Sequence, residues 1–353
     1  MSQSDGSGQA HSDGCTRRQF LTTLGVVGSV LALSGPKGLA EVMAPSPPAA
    51  SLTSGPIPTR PLGKTGVEVS VLAFGGAHWG YNMGSEADAI RLLHEAHDAG
   101  ITFMETAWEY VRGQSEEWMG KALQDRRKQV FLMTKVCTHG RDKQVALQQL
   151  EESLRRLRTD YLDLWQIHEV TYEDDPDRHA APGGTVEAMI EAKRQGKVRF
   201  IGFTGHKDPK IHLKMLSHGV PFDTCQMPLN VFDGTYRSFE QEVLPVLNQR
   251  GIAPLGMKAF SGNAEAIKQG IVTAEEALRY ALSLPVASIV SGIDSREVLK
   301  QNVEIVQRFT PMSPAEMQAL RDRVAGHAKD GRFEIFKSTN QLDSSIGREL
   351  HGL

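Results

Sequence analysis

Apolar and polar positions along this chain follow two alternating rhythms. Eight short apolar runs, VSVLAFGG, ITFMETA, QVFLMTK, YLDLWQIH, VRFIGFTG, FDTCQMP, GIAPLGMK and VASIVSG, recur between Val69 and Gly292. Their spacing is about thirty residues, the length of one strand-helix unit. Between them lie stretches with helical spacing, such as EADAIRLLHEAHDAG, DKQVALQQLEESLRRL, TVEAMIEAKRQG, SFEQEVLPVLNQRG, TAEEALRYALSL and SREVLKQNVEIVQRF. Gly100, Gly196 and Gly251 close three of these as C-terminal caps do. Strands alternating with helices imply a parallel sheet, and eight units favour an α/β fold closed as a (β/α)8 TIM barrel over an open sheet.

The flanks read differently. RPLGKTGVEVS, ahead of the barrel, predicts a β-hairpin around Lys64-Thr65-Gly66, and SPAEMQALRDRVAGHA predicts an extra C-terminal helix. The barrel with these additions spans 59–330, and 331–353 is a polar tail. Residues 1–40 have the layout of a signal peptide: a polar start with Arg17 and Arg18, an uncharged stretch from Leu21 to Leu33, and small residues up to Ala40. The paired arginines resemble a twin-arginine export signal, which implies a periplasmic or exported protein and the twin-arginine machinery as a partner. The apolar stretch is too short to span a bilayer, so stable membrane insertion of the mature chain is not expected. Residues 41–58 are a Pro/Ser-rich linker.

Composition narrows the function. With 40% hydrophobic and 23% charged among 353 residues, a sizeable core is available. A formal net charge of −3 argues against a nucleic-acid partner, which needs concentrated lysine and arginine. Beyond residue 40 only Cys137 and Cys225 remain, too few for a disulfide framework or a metal knuckle. No HxH or HExxH is present, so a metal-dependent hydrolase on the same barrel is disfavoured and no metal ligands are assigned.

In a barrel of this kind, the C-terminal ends of the strands share one rim, where active sites lie. Glu105 ends the second run, Lys135 the third and His168 the fourth, and Tyr110 follows Glu105 on the same loop. A lysine ending an apolar strand faces low dielectric and calls for a carboxylate partner. A nearby tyrosine is expected to have its pKa lowered by the lysine and to serve as a proton donor to a carbonyl oxygen, with His168 orienting that oxygen. Each residue alone has a structural explanation: an ion pair, a lid, a hydrogen-bonded histidine. The four in order on adjacent units favour the chemical one.

The stretches RPLGKTGVEVSVLAFGG, TAWEYVRGQSEEWMGKAL, the MTK strand, LDLWQIH and GKVRFIGFTG resemble the aldo-keto reductase family. The resemblance implies hydride transfer between a nicotinamide cofactor and a small-molecule carbonyl or alcohol substrate. It implies Tyr110 as acid/base, Lys135 acting on its pKa, Glu105 pairing with Lys135, and His168 positioning the carbonyl. The family has Asp where this chain has Glu105, one methylene longer.

No GxGxxG opens a helix after a strand, so a Rossmann site is not supported. SGIDSREVLKQN offers instead a turn and a capped helix start that could hold a phosphate. The resemblance places Gly292, Asp294 and Ser295 around the cofactor phosphates and Asn302 near the adenine. Thr204, Gly205 and Gln226 fall by the nicotinamide, with Met257 where a stacking tyrosine is common. NADP(H) is favoured over NAD(H), with Arg296 or Lys258 supplying charge in place of a basic residue at Val298. Substrate loops are expected after the fourth run, after Met257 and in the tail, bringing Tyr172, Arg178, His179, Phe232 and Phe260. The alternative is a nucleotide-binding redox sensor or subunit with little turnover.

Overall fold

The computed structural model describes residues 56–137, 142–340 and 342–344. The expected signal peptide and nearly all of the linker lie outside the described residues. The expected hairpin is present: β1 (Thr59–Pro61) pairs antiparallel with β2 (Glu68–Ser70), Thr59 facing Ser70 and Pro61 facing Glu68.

Eight parallel strands then close a barrel: β3 (Leu72–Gly75), β4 (Phe103–Glu105), β5 (Phe131–Val136), β6 (Leu162–Ile167), β7 (Val198–Thr204), β8 (Thr224–Pro228), β9 (Ala253–Met257) and β10 (Ser288–Gly292). Strand order follows the sequence, and β10 closes on β3. The strands read as continuous apolar runs because both faces are covered. Side chains of period two separate two layers. Phe103, Phe131, Met133, Leu164 and Leu255 point inward and meet Leu62 and Val69 of the hairpin, which plugs the N-terminal end. Met104, Leu132, Trp165 and Phe203 point outward under the helices.

The same alternation positions the chemistry. Inward positions Phe103 and Met133 are followed two residues later by Glu105 and Lys135, so both charges project into the barrel above the apolar plug.

The helices follow the expected segments, with local reasons for their limits. Lys143–Leu157 starts where the Asp142 side chain accepts from the N–H of Gln144 and Val145. The segment SFEQEVLPVLNQRG is split into Phe239–Glu242 and Leu244–Arg250, because Pro245 has no N–H to continue a single ladder. Gly251, at φ 69°, caps the second piece. Helix Pro314–Ala328, the expected extra helix, begins with a capping box of Ser313 and Glu316.

Three features depart from expectation. A helix, Gly76–Asn82, to which the sequence analysis assigned no element, follows β3 directly. Ile57, assigned to the linker, is buried beside Gly100. The polar tail is packed over residues 331–340, with Phe333, Phe336 and Lys337 buried and a short helix at Ile335–Ser338. Among the described residues no helix is long and apolar enough to cross a membrane.

Candidate active site at the C-terminal rim

Glu105 and Lys135, on adjacent strands, are 2% and 1% exposed and form an ion pair. The Lys135 ammonium donates to the Thr106 carbonyl at 2.9 Å and to the Tyr110 hydroxyl at 3.0 Å. Its three N–H groups are thus committed to a carboxylate, a carbonyl and a phenol. The additional methylene of Glu105 has a visible use. While one oxygen meets Lys135, the other accepts from the Gly76 N–H at 3.1 Å, at the start of a helix that has no side-chain cap of its own. Gly76 is required there, since a Cβ would come 2.7 Å from the Glu105 carbonyl oxygen.

Tyr110 opens a short turn, Tyr110–Gly113, in which Val111 and Arg112 adopt φ of 51° and 55°. Left-handed backbone is costly for non-glycine residues, most of all for a β-branched one. Seven of the eight described non-glycine residues with positive φ, including Glu169 and Lys258, lie on loops leaving the C-terminal ends of strands. Strain in this fold is concentrated at the rim.

Burial first, then the carboxylates of Glu105, Glu109 and Glu169, hold the Tyr110 phenol well above its usual range. This corrects the expectation that Lys135 lowers it: lost hydration and three carboxylates outweigh one ammonium. Lys135 is itself pushed down by burial, against the opposing pull of Glu105.

The structure brings His168 to this group, its ring edge-on to Tyr110 with centroids 5.5 Å apart. Its Nδ1 lies 2.6 Å from Glu109 Oε1, and burial lowers its pKa despite that carboxylate. Glu109 was missed in the sequence, although it directly precedes Tyr110. Also missed were Glu169 and His206, whose Oε1 and Nε2 are 3.4 Å apart, and Asp343 of the tail, 3.6 Å from His206. Two trios that share Glu169, with Glu109 and His168 or with His206 and Asp343, offer atoms near enough to hold a cation. Lysines already balance this charge: Lys207 Nζ is 3.0 Å from Asp343, and Lys258 acts on Glu169.

The residues expected around a nicotinamide lie nearby. Gln226 is buried and its Nε2 faces the Met257 sulfur at 3.7 Å, while its Oε1 has no protein donor. A carbonyl oxygen without a donor fits a carboxamide N–H. The Thr204 hydroxyl is occupied, accepting from the Glu169 N–H at 2.9 Å. Gly205 has no room for the side chain common in the family, because a Cβ would come 2.6 Å from His212 and 2.7 Å from the Val170 carbonyl.

At the other end, Ser295 caps helix Arg296–Gln307. Buried Asn302 donates to Ser291 at 3.0 Å and leaves its Oδ1 without a partner. Asp294 accepts from Asn82 at 2.5 Å, and Gly292 lies against His78, both partners coming from the unexpected helix Gly76–Asn82. A cavity of about 190 Å³, lined by Arg91, Ser295 and Arg296 among others, opens beside this helix start.

The expected substrate residues divide. Phe232 is buried and stacks on Phe333 at 5.2 Å, and buried His179 lies 3.0 Å from the Thr185 hydroxyl; both belong to the body of the fold. Arg178 pairs with Asp174. Tyr172 is exposed and Phe260 partly buried.

Known proteins with similar sequence agree with this architecture. Aldo-keto reductase YhdN of Bacillus subtilis is 34% identical over 206 residues, covering 54% of this chain and 58% of that protein. The uncharacterized oxidoreductase YqkF of the same organism is 26% identical over 324 residues, covering 79% and 99%. The holo form of aldo-keto reductase AKR11C1 from Bacillus halodurans superposes with a TM-score of 0.64 at 26% identity, over 76% of this chain and 96% of that one. The model of the aldo/keto reductase family matches residues 71–265, from the first barrel strand to beyond β9. With more than half its length matched and the rim chemistry in place, the chain belongs to the aldo/keto reductase family, oxidoreductases that interconvert carbonyls and alcohols with a nicotinamide cofactor.

Proposed function

We propose that this protein reduces an aldehyde or ketone, or runs the reverse oxidation, with Tyr110 moving the proton and NADP(H) as the cofactor. One observation carries the reading: the buried Lys135 ammonium reaches both Glu105 and the Tyr110 hydroxyl. When bound, the cofactor supplies or accepts the hydride. In the reducing direction the substrate oxygen gains a proton from the Tyr110 hydroxyl. Its raised pKa keeps that proton available through neutral pH, and the Lys135 ammonium balances the phenolate that remains. A neutral His168 that donates from Nδ1 to Glu109 leaves Nε2 as an acceptor, able to meet the hydroxyl of the alcohol form of the substrate. Preference for NADP(H) is supported by the Arg91 and Arg296 side chains around the cavity at the Ser295 helix start.

The test is Tyr110→Phe, which removes one hydroxyl and almost no packing. NADPH oxidation with an aldehyde panel is expected to fall by about 10³-fold, with NADPH binding unchanged in a fluorescence titration. Wild-type turnover in this variant would exclude Tyr110 as the proton donor.

The proposal includes export. Arg17 and Arg18 before the weakly apolar Leu21 to Leu33 support twin-arginine delivery of the folded enzyme to the periplasm, with cleavage after Ala40. Arg17→Lys combined with Arg18→Lys is expected to hold the precursor in the cytoplasm. Normal periplasmic delivery of that variant would remove this part of the proposal.

A further inference from the structure

We propose that Ser344, on the C-terminal tail, is a positioning residue for the reaction: acting through Glu109, it holds the His168 ring in place at the rim, so that the site is complete only with the tail docked. The inference rests on the oxidoreductase reading above and adds a residue to its machinery.

The backbone of His168 is set by the barrel, since its N–H donates to the Val136 carbonyl at 2.9 Å. The ring can still turn about its side-chain bonds, and either nitrogen can carry the proton. The partner of one nitrogen decides the state of the other. Here Nδ1 lies 2.6 Å from Glu109 Oε1. Glu109 directly precedes Tyr110, and its carbonyl accepts from the Arg112 N–H at 3.0 Å. One turn therefore carries both the proton donor and the carboxylate that meets the histidine.

A carboxylate held by one oxygen alone would pivot. Glu109 is buried, and its second oxygen, Oε2, accepts from the Ser344 hydroxyl. The Cys137 thiol faces the same oxygen from 3.9 Å, a weak donor at long range. Ser344 and His168 thus engage the two oxygens of one buried carboxylate. Loss of the hydroxyl would remove a charge-assisted hydrogen bond from a group that has little water to replace it.

Such a contact positions a ring only from a fixed seat, and the tail has one. The Ser344 N–H donates to Glu169 Oε2 at 3.2 Å. Asp343 pairs with Lys207 at 3.0 Å, Lys207 donates to the Thr339 carbonyl at 2.6 Å, and buried Lys337 pairs with Asp233. Glu169, Lys207 and Asp233 follow β6, β7 and β8, so three successive loops hold the tail at the barrel mouth. A tail that served only as a wall for the substrate would have no use for a hydroxyl on the far oxygen of Glu109. Positioning of this kind acts on the rate, since small displacements of a reacting group are costly.

The experiment compares the full-length enzyme with Ser344→Ala, Ser344→Thr and Glu109→Leu. The readouts are steady-state NADPH oxidation with a panel of aldehydes, and nitrogen NMR of histidine-labelled protein, with His168→Gln identifying the ring signals. Ser344→Ala is expected to lower kcat about tenfold, the worth of one hydrogen bond to a charged group. KM and NADPH affinity should be kept, and Ser344→Thr should restore the rate. Glu109→Leu should lower kcat by about 10²-fold. The spectra should show the His168 proton on Nδ1 alone in wild type and in Ser344→Thr, both tautomers in Glu109→Leu, and a minor share of the second tautomer in Ser344→Ala.

A raised KM with kcat kept in Ser344→Ala overturns the inference and makes the tail a wall of the substrate pocket. So does a wild-type His168 with its proton on Nε2, or an unchanged single tautomer in Glu109→Leu. If Glu109→Leu does not fold, the contrast between Ser344→Ala and Ser344→Thr still decides. If wild type reduces no aldehyde, the oxidoreductase reading fails by itself, and the tautomers in the two Ser344 variants then decide whether the tail positions the ring.

Discussion

Lys135 and Lys337 are both buried, both paired with acidic side chains and both near the rim, yet their surroundings differ in one partner. Lys337 donates to Asp233 at 2.5 Å and to the Tyr236 carbonyl at 2.8 Å, and pairs with Glu334 at 2.8 Å. Asp233 in turn accepts from the N–H groups of Phe239 and Glu240, and Asn230 donates to Glu334. These partners are two carboxyls and a carbonyl with no hydroxyl among them, and the cluster ties the tail to the loop after β8. Lys135 has one carboxylate and one carbonyl, and its third contact is the Tyr110 hydroxyl, an oxygen that can lose its proton. A buried ion pair is therefore poor evidence of catalysis by itself. The atom on the remaining N–H distinguishes a structural clamp from a reactive site.

Replacing each lysine by methionine breaks the comparison most directly. Lys135→Met is expected to lower kcat by about 10³-fold, on the scale of lost acid-base assistance, with folding monitored by circular dichroism. Lys337→Met should do the opposite, lowering unfolding stability in urea by about 3 kcal/mol because two carboxyls lose their counter-ion. Activity per folded molecule should be kept. Loss of turnover in a folded Lys337→Met protein would erase the distinction.

Glu105→Asp sharpens it at a smaller scale. The shorter side chain keeps its charge for Lys135 but cannot also reach Gly76, so stability should fall by about 1 kcal/mol while turnover persists. An aspartate variant as stable as wild type would show the Gly76 contact to be dispensable.

Much of this was legible in the sequence because it is periodic. Eight apolar runs mark the strand ends that share the rim, and a lysine ending an apolar strand calls for a carboxylate, which is why Glu105 and Lys135 could be paired from the sequence. Glu109, Glu169 and His206 belong to no repeating pattern; they converge only after the loops fold, and single charges in loops look like solvated surface. Helix Gly76–Asn82 was hidden by its glycine start and short length. The tail was hidden by its composition, since Lys337 becomes a core residue only through Asp233, 104 positions earlier. The phenol pKa was misjudged for a related reason: the expectation counted the lysine and not the burial of the hydroxyl or the further carboxylates that the fold adds.

The left-handed pair behind Tyr110 bears on how this enzyme would respond to laboratory selection. Glycine at Val111 or Arg112 would relieve backbone strain, so a screen for heat tolerance alone would favour such changes. The Val111 methyl that fills the space over Gly80 would be lost, and the turn that aims the hydroxyl would loosen. Selecting for robustness and selecting for turnover would pull these two codons in opposite directions, which makes them a natural place to measure how far the two demands conflict.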